Sequence, residues 1–228
     1  MIEILAGVAG LMGSAAYLMP AVWRLGCSNA LKRKIAKDRA LFLTYDDGPS
    51  GEVTPNVLDL LQSRGARATF FMLGRSAQQY PEIADRIARE GHDVGCHSDQ
   101  HLNAWKVTPW RAIADIDAGY DRLVSWVQRD GMFRPPYGKM TALTYWAVRN
   151  RGARVWWWTI DSGDTGKTIP SPGKVADALV SQGGGIVLLH DIDRSPERNE
   201  FVLQTTASLL DVARKNSIKI KRLSELWT

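Results

Sequence analysis

Two adjacent carboxylates, in the run Thr44-Tyr45-Asp46-Asp47-Gly48-Pro49, and two histidines four residues apart, in His97-Ser98-Asp99-Gln100-His101, are the side chains of this sequence best suited to chemistry. Asp47, His97 and His101 together offer one carboxylate and two imidazoles. That donor set suits one divalent transition metal with positions left open for water and substrate, with zinc as the default. Asp46 is then available to move protons, because a metal lowers the pKa of water and a neighbouring carboxylate can take the remaining proton as the oxygen attacks a carbonyl. Taken singly these pieces carry little. Asp-Asp-Gly-Pro is a good surface turn, and a spacing of four asks only that both imidazoles reach one side of a turn or helical start.

What joins them is the pattern of elements that must position them. From residue 40 onward, apolar runs of strand type alternate with amphipathic stretches. Strands are expected at Leu41 to Thr44, Ala68 to Leu73, His92 to Cys96, near Met132, at Arg154 to Thr159, Gly185 to Leu189 and Ser217 to Lys221. Helices are expected from Thr54-Pro55 onward, at Pro81 to Glu90 with Gly91 as the stop, after the Thr108 cap and Pro109, and at Thr141 to Arg151, Gly173 to Ser181 and Glu200 to Lys215. In the helix after Thr108, Ile113, Ile116, Tyr120, Leu123, Val124 and Val127 form one apolar face. About seven such units predict an α/β fold, a distorted parallel (β/α)7 barrel rather than an open sheet. Asp46 and Asp47, His97, Arg134, Asp161 and Asp164, and His190 each follow a predicted strand, so one barrel face would gather them all.

The amino terminus reads differently. Ile4 to Trp23 is free of charge and about long enough to cross a bilayer, and a cluster from Arg24 to Arg39 follows it. The sequence therefore divides into a membrane segment with a basic juxtamembrane stretch (1–40) and a catalytic domain (41–228). The positive flank predicts association with a bacterial inner membrane, the domain facing the cytoplasm. A hairpin or interfacial helix is the alternative. Net charge is +5, but no nucleic-acid motif accompanies it, so no nucleic-acid partner is expected. At 45% hydrophobic residues, the chain can bury a core and is not a disordered one. Cys27 and Cys96 define no disulfide framework or metal spacing. Cys96, beside His97 on a strand, reads as a small buried hydrophobe.

Five segments, in order from Thr44 to Asp191, resemble the motifs of the polysaccharide deacetylases, the NodB-homology proteins or family 4 carbohydrate esterases, over most of the chain after residue 40. The resemblance implies Asp46 as catalytic base, and Asp47, His97 and His101 as metal ligands. Through Arg134-Pro135-Pro136-Tyr137-Gly138 it implies that Arg134 orients Asp46 and that the Tyr137 backbone N–H binds an oxyanion. Through Leu188-Leu189-His190 it implies an acyl pocket at Leu188 and a general acid at His190, tuned by Asp164. The segment Asp161-Ser162-Gly163-Asp164-Thr165 departs from the family pattern, with Thr165 where tryptophan is usual. Asp161 reads equally as loop solvation or a cap. Trp156, Trp157 and Trp158 offer sugar-stacking surface, although alternation along a strand puts at least one in the core. Lys139 and Asp99 read as solvated charge.

The implied reaction is metal-dependent hydrolysis of an N-acyl group, acetyl by default, from an amino sugar in a glycan or a polyprenyl-linked saccharide. An O-acetyl esterase is one alternative. An inactive, membrane-held glycan-binding or assembly protein on the same fold is the other.

Overall fold

A computed structural model describes residues 29–127 and 131–226. The apolar run 4–23 and Cys27 lie outside the described residues; among the described residues no helix is long and apolar enough to cross a membrane.

A helix at residues 29–38 (α1) leads into the strand β1 (Ala40–Asp46). Next come α2 (Val53–Ser63), β2 (Thr69–Met72), α3 (Gly74–Gln79), α4 (Pro81–Arg89), β3 (Asp93–Cys96) and α5 (Pro109–Arg122). The second half contains β4 (Met132–Phe133), α6 (Ala142–Asn150), β5 (Arg154–Val155), β6 (Ile160–Asp161), α7 (Pro172–Gln182), β7 (Gly185–His190), α8 (Pro196–Lys215) and β8 (Lys219–Ile220). Local signals explain several boundaries. Thr108 accepts from the Arg111 N–H with Pro109 at the first turn of α5, Thr141 and Thr144 form a capping box on α6, and α7 stops at Gly183 with φ 69°.

All strand pairs are parallel, in the order β5-β4-β3-β2-β1-β7-β6. β7 runs along one edge of β1 from Leu41 to Asp46, so β8 and β2 share the other edge: β8 at Ala40 and Leu41, β2 from Thr44 onward. β5 and β6 end the order, and no ladder joins them among the described residues. The sheet is thus a curved parallel half-barrel, consistent with the expected distorted (β/α)7 barrel but with an open seam. Hydrophobic periodicity fixes which face of a strand is buried and carries no signal for closure.

Two apolar layers lie on opposite faces of this sheet. Leu41, Leu43 and Tyr45 of β1 join Phe70, Met72 and the helix faces. Ala40 and Phe42 point the other way, into a smaller cluster with Phe71, Trp156, Ile186, Leu223 and Leu226. Ile35 of α1 is buried in that smaller cluster and Leu31 packs against it, so the stretch expected as juxtamembrane begins the packed domain. Three other expectations change. The helix after Thr108 ends at Arg122, which leaves Val124 74% exposed, off the core face. The strand expected at 154–159 is only Arg154–Val155, with Trp156 to Thr159 separating it from β6. Helix α3, too short for a periodic signal, was not expected.

Candidate functional site

Every strand that carries a candidate residue ends at the same mouth. On β1, Thr44 and Asp46 lie on the concave face with Phe42, and the register Thr44↔Leu188, Asp46↔His190 puts Leu188 and His190 beside them. From the other flank, His97 follows β3 and Arg134 follows β4, held by His97 N–H to the Met72 carbonyl and Arg134 N–H to the Cys96 carbonyl. Among the described residues, six non-glycine residues have positive φ, and Asp47, Ser98, His101 and Tyr137 are four of them. Sparsely populated backbone gathered at one point in this way marks a constrained loop cluster.

Asp47 Oδ1 stands 3.5 Å from His97 Nε2 and 3.2 Å from His101 Nε2. One ligand atom from each of the three residues can be chosen within 4.8 Å of the others. His97 Nδ1 donates to the Arg134 carbonyl at 2.7 Å, which leaves Nε2 as a bare lone pair. Burial pushes His97 down to about 3 and His101 also downward, against the pull of Asp47, so both rings are neutral at ordinary pH. Asp47 Oδ1 is buried without a hydrogen-bond partner. Two imidazole lone pairs facing one carboxylate oxygen repel unless a cation lies among them, and the trio fits a divalent ion of the zinc type. The two rings meet through loop geometry, not a helical start: residues 97–101 form no helix, and His101 N–H donates to Ser98 Oγ at 3.1 Å.

Asp46 is 2% exposed and Arg134 0%. Arg134 Nη1 donates to Asp46 Oδ1 at 2.8 Å and to Thr44 Oγ1 at 2.7 Å, while Thr44 Oγ1 donates to the Val187 carbonyl. The guanidinium also lies 4.2 Å over the Phe71 ring. Burial raises the Asp46 carboxyl above the usual range, with Arg134 opposing it. One carboxylate oxygen is thus fixed. The other, Oδ2, is 3.7 Å from His97 Nε2, on the side of the trio.

His190 sits in the opposite condition. Its Nδ1 pairs with Asp164 Oδ1 at 2.9 Å, and its backbone N–H donates to Asp164 Oδ2 at 2.8 Å. Burial pulls the ring down, but the Asp164 hydrogen bond and charge, with Asp46 and Asp47 beyond, outweigh it and lift His190 to about 9. Arg194 and Arg198 hold the Asp164 carbonyl, and Arg198 Nη2 also reaches the Gly166 carbonyl at 2.8 Å.

The remaining expected residues divide. Tyr137, at φ 56°, turns its ring outward against His101, with centroids 4.4 Å apart. Leu188 is buried beside Thr44. Thr165 is exposed. Asp161 caps its own loop by accepting from Gly163 N–H. Trp156 and Trp157 are buried on opposite sheet faces, and Trp158 is partly buried, so they form no open stacking platform. Lys139 is not freely solvated but lies 4.1 Å over the Trp105 ring. Asp99 corrects its expectation more fully. It is 4% exposed, with Gln100 Nε2 at 2.6 Å and Arg122 Nε at 3.3 Å. Cys96 is buried as expected, its thiol pushed up to about 12 by burial.

Three acids that sequence reasoning passed over hold the mouth together. Asp115 of α5 accepts from Gln100 N–H at 2.7 Å and Leu102 N–H at 3.2 Å, setting the loop that carries His101. Its signal was legible: a carboxylate next to Ile116, on the helix face that also carries Ala112 and Gly119. A Cβ at Gly119 would stand 2.5 Å from the Ser98 carbonyl carbon, so that loop lies directly on the helix. Asp191 accepts from Gly48 N–H and Thr54 Oγ1, and a Cβ at Gly48 would meet its carboxylate at 2.2 Å. Asp193 accepts from the N–H groups of Gly51, Glu52 and Val53, capping α2 from the far side of the chain.

A buried carboxylate, a protonated imidazole and a three-donor set meet at the mouth of a parallel α/β half-barrel, the arrangement a hydrolase needs. The family profile described as "Polysaccharide deacetylase" matches residues 33–156, and the chain belongs to that family. It is 32% identical over 193 residues to a peptidoglycan-N-acetylglucosamine deacetylase of Bacillus cereus, covering 83% of this chain and 88% of that one. It is 34% identical over 188 residues to the peptidoglycan-N-acetylglucosamine deacetylase PgdA of Listeria monocytogenes, covering 78% of this chain but only 36% of that longer protein. The fold matches the crystal structure of the Bc1960 peptidoglycan N-acetylglucosamine deacetylase with a TM-score of 0.74 at 26% identity, covering 83% of this chain and 88% of that one.

Proposed function

We propose that this chain removes the N-acetyl group from N-acetylglucosamine residues of a peptidoglycan-type glycan by metal-assisted amide hydrolysis. One observation carries the reading: the unpartnered Asp47 Oδ1 between two neutral imidazoles, flanked by Asp46 on one side and a protonated His190 on the other. Asp47, His97 and His101 would hold the cation. When bound, it supplies Lewis-acid polarisation of a carbonyl and a lowered pKa for water.

The chain's own groups do the rest. Asp46, its Oδ1 tied to Arg134, takes the proton of the attacking water on Oδ2, and burial makes it a stronger acceptor than a solvated carboxylate. As the carbonyl carbon becomes tetrahedral, the Tyr137 backbone N–H donates to its oxygen. Leu188 lines the methyl side. His190, held as imidazolium by Asp164, protonates the leaving nitrogen through Nε2, because Nδ1 faces Asp164. Acetate and a free amine result. The relatives' substrates favour the polymer over a polyprenyl-linked sugar.

The test is acetate release from purified peptidoglycan by protein loaded with zinc, set against matched N-acetyl, O-acetyl and polyprenyl-linked substrates. Preference for the ester or the lipid-linked sugar would overturn the assignment.

A further inference from the structure

The segment Asp191 to Arg194, after β7, meets the loop after β1 with each of its three charged side chains. Asp191 accepts from Gly48 N–H, and Asp193 from the N–H groups of Gly51, Glu52 and Val53. Those two hold backbone. Arg194 instead reaches a side chain, its Nη2 standing 4.0 Å from Asp47 Oδ2, the outer oxygen of the one carboxylate in the three-donor set.

Little else holds that carboxylate. Its Oδ1 is buried without a hydrogen-bond partner, facing His97 and His101, and its backbone lies in the left-handed region at φ 76°. Among the described residues, Arg194 is the only arginine or lysine within 4.0 Å of it. Arg194 is itself well placed. Its N–H donates to Oδ1 of the buried Asn199 at 2.9 Å, and the Asn199 N–H donates to the Ser195 carbonyl at 3.0 Å, in the first turn of α8. Its Nη1 donates to the Asp164 carbonyl at 3.3 Å. Arg198 takes the same carbonyl with Nη1 and the Gly166 carbonyl with Nη2. The loop after β6 is therefore held by Arg198 as well; what Arg194 adds is the contact with Asp47.

We infer that Arg194 is a positioning residue for the cation site, holding the outer oxygen of Asp47 so that Oδ1 stays turned toward the two imidazole lone pairs. A carboxylate that ligates a metal is oriented by what its other oxygen meets. A guanidinium suits the task because it stays charged and its fork offers one nitrogen to Asp47 and another to Asp164. Its charge also repels a second cation nearby. Orientation and repulsion thus act on metal affinity in opposite directions, and the sign of the effect separates them.

The inference rests on the metal-dependent part of the deacetylase reading. Zinc affinity of the parent, Arg194→Gln, Arg194→Lys and Arg198→Gln is measured by competition with a chromogenic chelator. The visible spectrum of each protein loaded with cobalt(II) reports the arrangement of the ligands. Arg194→Gln is expected to bind zinc about tenfold to a hundredfold more weakly and to shift the cobalt bands. Arg194→Lys, which keeps the charge, is expected to recover part of the loss, and Arg198→Gln to match the parent in both measurements. Equal weakening in Arg194→Gln and Arg198→Gln would reduce Arg194 to a support of the Asp164 loop and overturn the proposal. Unchanged or tighter zinc binding in Arg194→Gln would overturn it too. Should the glutamine variant not fold, Arg194→Lys decides: weaker zinc binding at an unaltered Tm of the metal-free protein supports the role, and parental affinity rejects it. A parent protein that binds neither ion would overturn the cation site and this inference with it, whereas parental zinc binding that Arg194→Gln leaves intact overturns this inference alone.

Discussion

The two flanks of β1 hold the same residue type in opposite states. On the β3 side, His97 is stripped of charge by burial, its Nδ1 proton spent on a backbone carbonyl. On the β7 side, His190 is slightly more exposed, and a dedicated carboxylate keeps it protonated to about 9. The difference lies in how the nearest acid is used. Asp47 is shared between two rings at more than 3 Å, whereas Asp164 grips one residue by both ring and backbone. Identical side chains thus stand as a neutral imidazole on one flank and an imidazolium on the other, and neither state follows from residue type.

Removing the cation with a chelator tests the first flank most severely. Acetate release is expected to fall to the blank and to return on adding a divalent metal. His101→Ala is expected to weaken metal binding about a hundredfold or more, measured by competition with a chromogenic chelator. Asp46→Asn, between the flanks, is expected to retain metal but lose roughly 10³-fold in kcat. If it keeps near-parental turnover, Asp46 is not the base. On the second flank, Asp164→Asn removes the group that holds the imidazolium. The upper limb of the pH–rate profile, set near 9 in the parent, is expected to move toward 6.5, with about a thirtyfold loss at pH 8. An unmoved limb would separate His190 from the acid role.

The smallest effect concerns a histidine outside the site. His92 Nδ1 accepts from Ala68 N–H, and burial lowers the ring to about 4. The unfolded chain binds a proton near 6.5, so stability is full above that value and declines as pH falls toward 4, by about 3 kcal/mol in all. His92→Gln is expected to flatten this dependence in urea titrations at pH 4 and 7, without changing the rate profile.

Much of this arrangement was legible in the sequence. The alternation of apolar runs placed the main strands, and the residues after them converge on one mouth. Thr108, Thr141 and the buried Cys96 behaved as local chemistry required. What escaped depended on partners far along the chain. Asp191 and Asp193 sit in an ordinary loop until Gly48 and the start of α2 are brought to them. Asp99 looked solvated because Arg122 is more than twenty residues away. The open seam escaped for a related reason: β5 and β6 are two residues each, too short for period-2 alternation to show, and closure depends on sheet curvature, not side-chain order.

The double clamp by Asp191 and Asp193 has a practical corollary. It fastens the loop after β1 to the loop after β7, while adjacent strands set Asp46 opposite His190. The spacing of Asp46 and His190 is therefore fixed on one side of the half-barrel. The loops after β3 and β4 make no part of that clamp. An engineer can graft those two loops, keeping His97, His101, Arg134 and Tyr137, and leave the spacing of Asp46 and His190 untouched.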